Sequence, residues 1–164
     1  MSVLIISCTS GNNLKLADKF KEGLDQKSIT SDVINLEEID LPLYNSDEKT
    51  KEYLPKNFAT IQEKLKKVNG IIFVAPEYNG SVPPNFNNFI AWCSVSSDDW
   101  RHFFNGKKAV VATHSGGGGA HVLMHMRMQL SFIGMNVVGR EILTNYKKPL
   151  NEDSLKAVID QLTS

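Results

Sequence analysis

Three short stretches gather residues whose types and spacing could do chemistry. Residues 8–13 read CTSGNN, residues 76–84 PEYNGSVPP and residues 113–121 THSGGGGAH, and each closely follows an apolar run. In the first, the hydroxyls of Thr9 and Ser10, a glycine that lets the backbone approach, and Asn12 and Asn13 at a helix start could cradle an oxyanion. An ordinary N-cap turn accounts for the same residues equally well. The spacing is neither G-x-x-x-x-G-K-[ST] nor G-x-G-x-x-G, which argues against a nucleoside triphosphate or a tightly held dinucleotide and for a monophosphate without a bound metal.

In the second stretch, Pro76 stiffens the exit from the apolar run, while Pro83 and Pro84 suit a first helical turn. Between them Glu77, Tyr78, Asn79, Gly80 and Ser81 offer backbone donors to the edge of a planar heterocycle, with Tyr78 as an apolar plate. Taken alone, a rigid turn with an exposed tyrosine is the simpler account. In the third, four glycines cost backbone entropy and contribute no packing. One would serve a strand-to-helix turn, so close approach of a ligand to Ser115, Gly116, Gly117 and Gly118 is the preferred reason for the rest.

Other constellations carry less. His114 and Ser115 are adjacent in sequence, so they seldom face each other, and no G-x-S-x-G elbow is present; hydrolase chemistry is not indicated. His121 and His125 are four apart on a helical pattern but lack an accompanying carboxylate motif, so no metal is expected. Met124, Met126 and Met128 do not hold helical spacing together and read as a mixture of core and rim.

The elements that must position these loops are legible as β-branched runs at 3–7, 31–36, 70–75, 108–113 and 135–139, alternating with helical patterns over 12–27, 56–68, 83–93, 119–134 and 151–163. Asn151 and an acidic first turn open the last helix. Continuous apolar character in the first, third and fourth runs demands cover on both faces, as parallel strands between helices require. Right-handed crossovers then make this an open doubly wound sheet in a single α/β domain over 1–164, a three-layer αβα sandwich for which five parallel strands in the flavodoxin-like order 2-1-3-4-5 are the simplest choice. Ligands in such sheets sit at the carboxyl ends of the strands, where all three stretches fall. The polar segment 44–57 is expected to be a surface loop.

Composition narrows the class. Lysine plus arginine and aspartate plus glutamate stand at 18 each, so no net field favours nucleic acid or an anionic membrane. The N-terminal MSVLIISC lacks a basic leader and its apolar run is too short for a signal or a membrane span, which leads to a cytoplasmic expectation. Cys8 and Cys93 are the two cysteines, without C-x-x-C spacing, and are expected to be buried free thiols.

Together the loops resemble the NAD(P)H-dependent FMN reductase family of flavodoxin-like proteins, which includes quinone, azo-dye and chromate reductases. The strongest similarity is PEYNGSVP at 76–83 continuing through Asn88, Ile90 and Trp92. SGGGGAH at 115–121, Arg127 and LSFIGMNVV at 130–138 add to it, and order and spacing agree over nearly the whole chain. The family's usual first loop is longer and carries G-S-x-R; here Asn13, Leu16 and Ala17 fit its end, no arginine is present, and CTSGNN looks like the T-x-T-G-N-T phosphate loop of flavodoxins.

The resemblance implies FMN as cofactor, NADPH or NADH as co-substrate and a small acceptor such as a quinone or free flavin. It implies that Thr9, Ser10, Asn12 and Asn13 hold the flavin phosphate. Residues Pro76 to Ser81 would border one edge of the ring and Ser115 to Gly118 the other, with the flavin rather than a catalytic side chain carrying the chemistry. It further implies a homodimer or homotetramer, to which Phe86, Phe89, Trp92 and Trp100 could contribute, core packing being the alternative for the first three. A flavodoxin-type electron carrier is the rival function, although such carriers are usually strongly acidic. A flavin-free binding domain is a third possibility.

Overall fold

Alternating apolar runs and amphipathic segments leave the chain one economical solution, a sheet covered by helices on both faces. The structure is a computed structural model and describes residues 1–39, 41–46, 54–55 and 57–164. The elements are β1 (Ser2–Ser7), α1 (Asn12–Asp25), β2 (Thr30–Asn35), α2 (Phe58–Lys67), β3 (Gly70–Val74), α3 (Pro84–Val95), a 3-10 turn (Trp100–Phe103), β4 (Lys108–His114), α4 (Ala120–Phe132), β5 (Asn136–Val137), β6 (Ile142–Thr144) and α5 (Glu152–Thr163). Every ladder is parallel and the order is β2-β1-β3-β4-β5, with β6 also pairing β4. This is the flavodoxin-like arrangement expected from the sequence.

Successive residues of β3 show how the sheet divides the core. Ile71 and Phe73 enter one apolar cluster with Phe58, Phe86, Phe89 and Leu123 from α2, α3 and α4. Ile72 and Val74 enter a second with Phe20, Leu24, Ile159 and Leu162 from α1 and α5. At about 1.5–3 kcal/mol for each large side chain withdrawn from water, these two layers supply the main driving force for the fold.

The last strand differs from the single run expected at 135–139. It is broken into β5 and β6, which pair with opposite ends of β4. Arg127 of α4 holds the break open: its Nη1 donates to the Val138 carbonyl at 2.8 Å, its Nη2 to the Gly139 carbonyl at 3.2 Å, and its Nε to Glu141 Oε2 at 2.7 Å. The guanidinium satisfies backbone acceptors that a continuous ladder would otherwise use.

Phe86, Phe89 and Trp92 are fully buried within this chain, so they are core and not an intersubunit surface. Trp100 is half-buried against the same cluster, with the Arg101 guanidinium 4.6 Å from its ring centre. Of the loop expected over 44–57, residues 47–53 and 56 lie outside the described residues. Its beginning is pinned to α3, since Asn88 Oδ1 accepts from the Tyr44 amide at 2.8 Å and the Trp92 indole donates to the Pro42 carbonyl at 2.7 Å. Asn151 caps α5 by accepting from the Ser154 amide at 2.8 Å. Among the described residues no helix is long and apolar enough to cross a membrane.

Candidate functional site

β1, β3 and β4 are neighbours in register, so the loops leaving their carboxyl ends share one rim of the sheet. Specific bonds then fasten the loops to one another. Asn13, buried at the start of α1, accepts from the His114 amide at 2.9 Å and donates to the His114 carbonyl at 3.0 Å, joining the first loop to the end of β4. The Asn85 side-chain amide donates to the Cys8 carbonyl, joining α3 to the first loop. Glu77 Oε2 accepts from the amides of His121 and Val122 at 3.0 and 3.3 Å, and Ser81 Oγ lies 3.0 Å from His125 Nδ1, so three bonds tie the second loop to α4.

Within the second loop, the Tyr78 amide donates to the Ser81 carbonyl and the Ser81 amide to the Tyr78 carbonyl, both at 2.9 Å. Asn79 and Gly80 sit between them at φ 50° and 72°. Positive φ at both central positions makes this a tight turn of the primed type, which Asn-Gly favours above other pairs. The bonds inside the turn take the amides of Tyr78 and Ser81, and those of Glu77, Asn79 and Gly80 donate in no bond among the described residues. Tyr78 itself is 47% exposed at the tip. Pro76 and Pro83 bracket the turn as the sequence suggests.

The glycine loop separates into two kinds of residue. Gly119, at φ 75°, takes a left-handed conformation at the N-cap of α4, and a Cβ there would lie 3.0 Å from Thr113 Cγ2. The fold needs glycine at that position. At Gly116, Gly117 and Gly118, as at Gly80, a Cβ would meet nothing within 4 Å. Their Cβ directions open into space beside the loops that added atoms would fill. Ser115 is buried and shapes this loop by accepting from the Gly117 amide at 3.1 Å, while its own amide donates to the Thr144 carbonyl at 3.1 Å.

In the first loop, Ser7 Oγ donates to the Thr9 carbonyl at 2.7 Å, and Gly11 takes φ 71° ahead of α1. Thr9 is nearly buried and Asn12 is exposed. Ser10 faces the turn after β2: its amide donates to Glu37 Oε2 at 2.7 Å and its Oγ accepts from Asn35 Nδ2 at 2.9 Å. Cys8 and Cys93 are free and fully buried. Burial pushes both thiols up, and for Cys8 the nearby Glu37 charge adds to the effect. Neither is poised as a nucleophile.

Sequence reasoning did not find Asn35, Glu37, Asn85 or the structural use of His114. Thr144 Oγ1 donates to the Thr113 carbonyl at 3.0 Å, so the His114 Nδ1 lying 3.1 Å from that oxygen carries its proton. Of the two histidines four apart, His121 is exposed and His125 bonds to Ser81, so they face different neighbours. Met126 is buried while Met124 and Met128 are exposed, the division into core and rim expected for the three methionines.

The profile of the NADPH-dependent FMN reductase family matches residues 1–148. The chain belongs to that family. Among its relatives, a quinone reductase of Escherichia coli is 34% identical over 103 residues, covering 62% of this chain and 53% of its own length. An NAD(P)H-dependent FMN reductase of Saccharomyces cerevisiae is 29% identical over 130 residues, covering 73% of this chain and 62% of its own. The chain thus spans little more than half the length of these relatives. The solved structure of the flavoenzyme NAD(P)H:(acceptor) oxidoreductase from Paracoccus denitrificans superposes with a TM-score of 0.77 at 19% identity, covering 99% of this chain and 97% of that one; it is similar in fold. Family membership directs attention to the rim where the three loops meet.

Proposed function

We propose that this chain, as one flavodoxin-like domain, is an NAD(P)H-dependent flavin reductase that passes electrons from NADPH or NADH through FMN to a small acceptor such as a quinone or a free flavin. The observation that carries the reading is the set of open glycines on fastened loops. Gly80 and Gly116–Gly118 leave room that packing does not require, on loops bolted together by Glu77, Ser81 and Asn13. When bound, the flavin would supply hydride acceptance and electron delivery, so the reaction needs no acid or base from the protein.

The protein's share is to bind and orient. The amides of Glu77, Asn79 and Gly80 would border one edge of the ring, with Pro76 and Ser81 fixing their turn and Tyr78 standing at the rim. Ser115 to Gly118 would line the other edge. Backbone donors held in place before the reaction stabilise developing negative charge without having to reorganise. Thr9, Ser10, Asn12 and Asn13 would meet the phosphate end; Asn13 would act through its hold on His114, and Ser10 through its hydroxyl.

Membership in the reductase family and the names of the quinone and FMN reductases support this reading over an electron carrier. A formal net charge of zero also argues against a carrier, which would use an acidic face to meet protein partners. The reading puts the reaction in the cytoplasm, where NAD(P)H is supplied and unpaired thiols stay reduced. A homodimer or homotetramer is part of it. In place of the buried aromatics of α3, the surface that favours association is the α4 stripe of Met124, Met128 and Phe132, exposed by 62%, 68% and 77% at spacings of four.

The deciding experiment is an absorbance titration with FMN followed by anaerobic NADPH and NADH. Binding followed by rapid bleaching of the flavin supports the reductase. Binding with slow bleaching by either nucleotide would favour the carrier, and absence of binding would remove the flavin function.

A further inference from the structure

The first loop already holds an anion. Ser10 offers its amide at the start of the β1–α1 turn, the position from which an oxyanion would be received, and the Glu37 carboxylate accepts that amide at 2.7 Å. The Glu37 side chain is exposed, and the turn that carries it is held in place. Asn35, buried at the end of β2, accepts from the Glu37 amide through its Oδ1 at 3.1 Å and from the Glu38 amide through its backbone carbonyl at 3.1 Å, which fixes the turn carrying both glutamates. The same Asn35 side chain donates to Ser10 Oγ at 2.9 Å and to Glu38 Oε1 at 3.1 Å. Both polar groups of Ser10 are therefore met by one preorganised turn. Among the described residues no lysine or arginine side chain bonds to residues 8–13.

We propose that Glu37 is a resident carboxylate that occupies the amide an incoming phosphate would use, so that this chain selects flavins by their ring and discriminates little in favour of the 5′-phosphate. The inference rests on the flavin reading above. An amide hydrogen lies along one direction and cannot serve a carboxylate and a phosphate oxygen together, and two like charges at one donor repel. FMN must then displace Glu37 or give up the Ser10 amide. Riboflavin, lacking the phosphate, pays neither penalty. Ser10 keeps its hydroxyl proton free to donate, because its Oγ acts as acceptor toward Asn35, so the loop still closes over the end of either flavin. The consequence for function is a cofactor position that accepts riboflavin nearly as well as FMN.

The test compares the wild-type chain with Glu37→Ala, which removes both the charge and the acceptor from the Ser10 amide. Affinities for FMN and riboflavin are measured by quenching of flavin fluorescence. In the wild type FMN should bind no more than a few-fold more tightly than riboflavin; in Glu37→Ala FMN should tighten about tenfold while riboflavin stays within twofold. Tight wild-type preference for FMN, or a variant in which the two affinities keep their ratio, overturns the role of Glu37 and leaves the flavin reading standing. A second readout does not involve flavin. With inorganic phosphate added to nitrogen-15-labelled protein, the Ser10 amide resonance should stay in place in the wild type and shift saturably in Glu37→Ala; equal behaviour in both overturns the proposal. If neither flavin binds either protein, the flavin reading and its selectivity fall together, and the phosphate arm still reports whether Glu37 holds the amide.

Discussion

Glu77 on the second loop caps a helix to which it does not belong: its Oε2 accepts from the amides of His121 and Val122 in the first turn of α4. The residue at that helix's own N-cap is Gly119, which has no side chain to offer. The glycine needed for the left-handed entry to α4 thus leaves first-turn amides orphaned, and the neighbouring loop satisfies them with a charge of the sign the helix dipole favours. One carboxylate links two edges of the candidate ring site.

Replacing Glu77 by alanine should therefore cost about 1–2 kcal/mol of stability, the usual loss for a helix cap. It should also weaken FMN binding, because both edges of the site lose their common anchor. Glu77→Gln keeps an oxygen acceptor and should lose less of each. Denaturant unfolding and a flavin titration on both variants check this. Alanine behaving as wild type in both assays would show that the two edges are positioned independently.

The glycine loop predicts a contrast inside four consecutive residues. Gly119→Ala forces a left-handed conformation and a Cβ 3.0 Å from Thr113 Cγ2, so it should cost about 1–3 kcal/mol. Gly117→Ala meets open space at an ordinary φ and should leave stability unchanged or raise it by a few tenths of a kcal/mol, as restriction of the unfolded chain predicts. Yet Gly117→Val should weaken FMN binding at least tenfold by filling the cradle. Thermal melts paired with flavin titrations decide it. Full flavin affinity in Gly117→Val would mean that the open space is not the ring site. Gly80 is a poorer probe, because at φ 72° any side chain strains the turn before it meets a ligand.

What the sequence showed and what it hid follow from the range of the interactions. Strand and helix positions were legible because burial on both faces of β3 leaves a continuous apolar run, and the flavodoxin-like order was the simplest choice for an open sheet with right-handed crossovers. Gly80 and the Gly116–Gly119 cluster could be singled out because glycine departs from the average for a local reason. The partners of the loops were not legible. Nothing near Glu77 in sequence announces that it caps residues 121 and 122, and nothing near Ser10 points to Glu37. The break between β5 and β6 was hidden for the same reason, since Arg127, which holds it, lies on the preceding helix. Phe86, Phe89 and Trp92 could be read as surface or core because the α3 run is apolar almost all round, and only packing decides.

Asn13 makes a prediction that separates fastening from ligand binding. Its amide pairs with both backbone groups of His114, so Asn13→Ala leaves a half-buried N–H and C=O without partners and should cost about 1–3 kcal/mol. Asn13→Asp restores the acceptor for the His114 amide but sets an oxygen against the carbonyl, and should be nearly as destabilising at neutral pH. Chemical denaturation of the two variants reads the effect. A loss confined to flavin affinity, with stability intact, would make Asn13 a ligand-binding residue in place of a staple.

The two thiols give the chain a stability that declines in alkali. Burial raises the ionisation of Cys8 and Cys93 in the folded state, with Glu37 adding to it at Cys8. In the unfolded chain each ionises at about the ordinary thiol value of 8.5. The folded chain therefore binds more protons than the unfolded one above that pH. The stabilisation is whole below the unfolded value and is lost as pH rises toward the folded one, at about 1.4 kcal/mol per pH unit for each thiol. Denaturant midpoints between pH 7.5 and 9.5 should be flat at first and then fall. Cys93→Ala, though less stable throughout because of its cavity, should fall with a shallower slope, since it retains one linked proton instead of two. Neither thiol should react with a disulfide reagent until the chain unfolds. Equal slopes in the two proteins, or rapid labelling of the native wild type, would show that the thiols are not held protonated by the core.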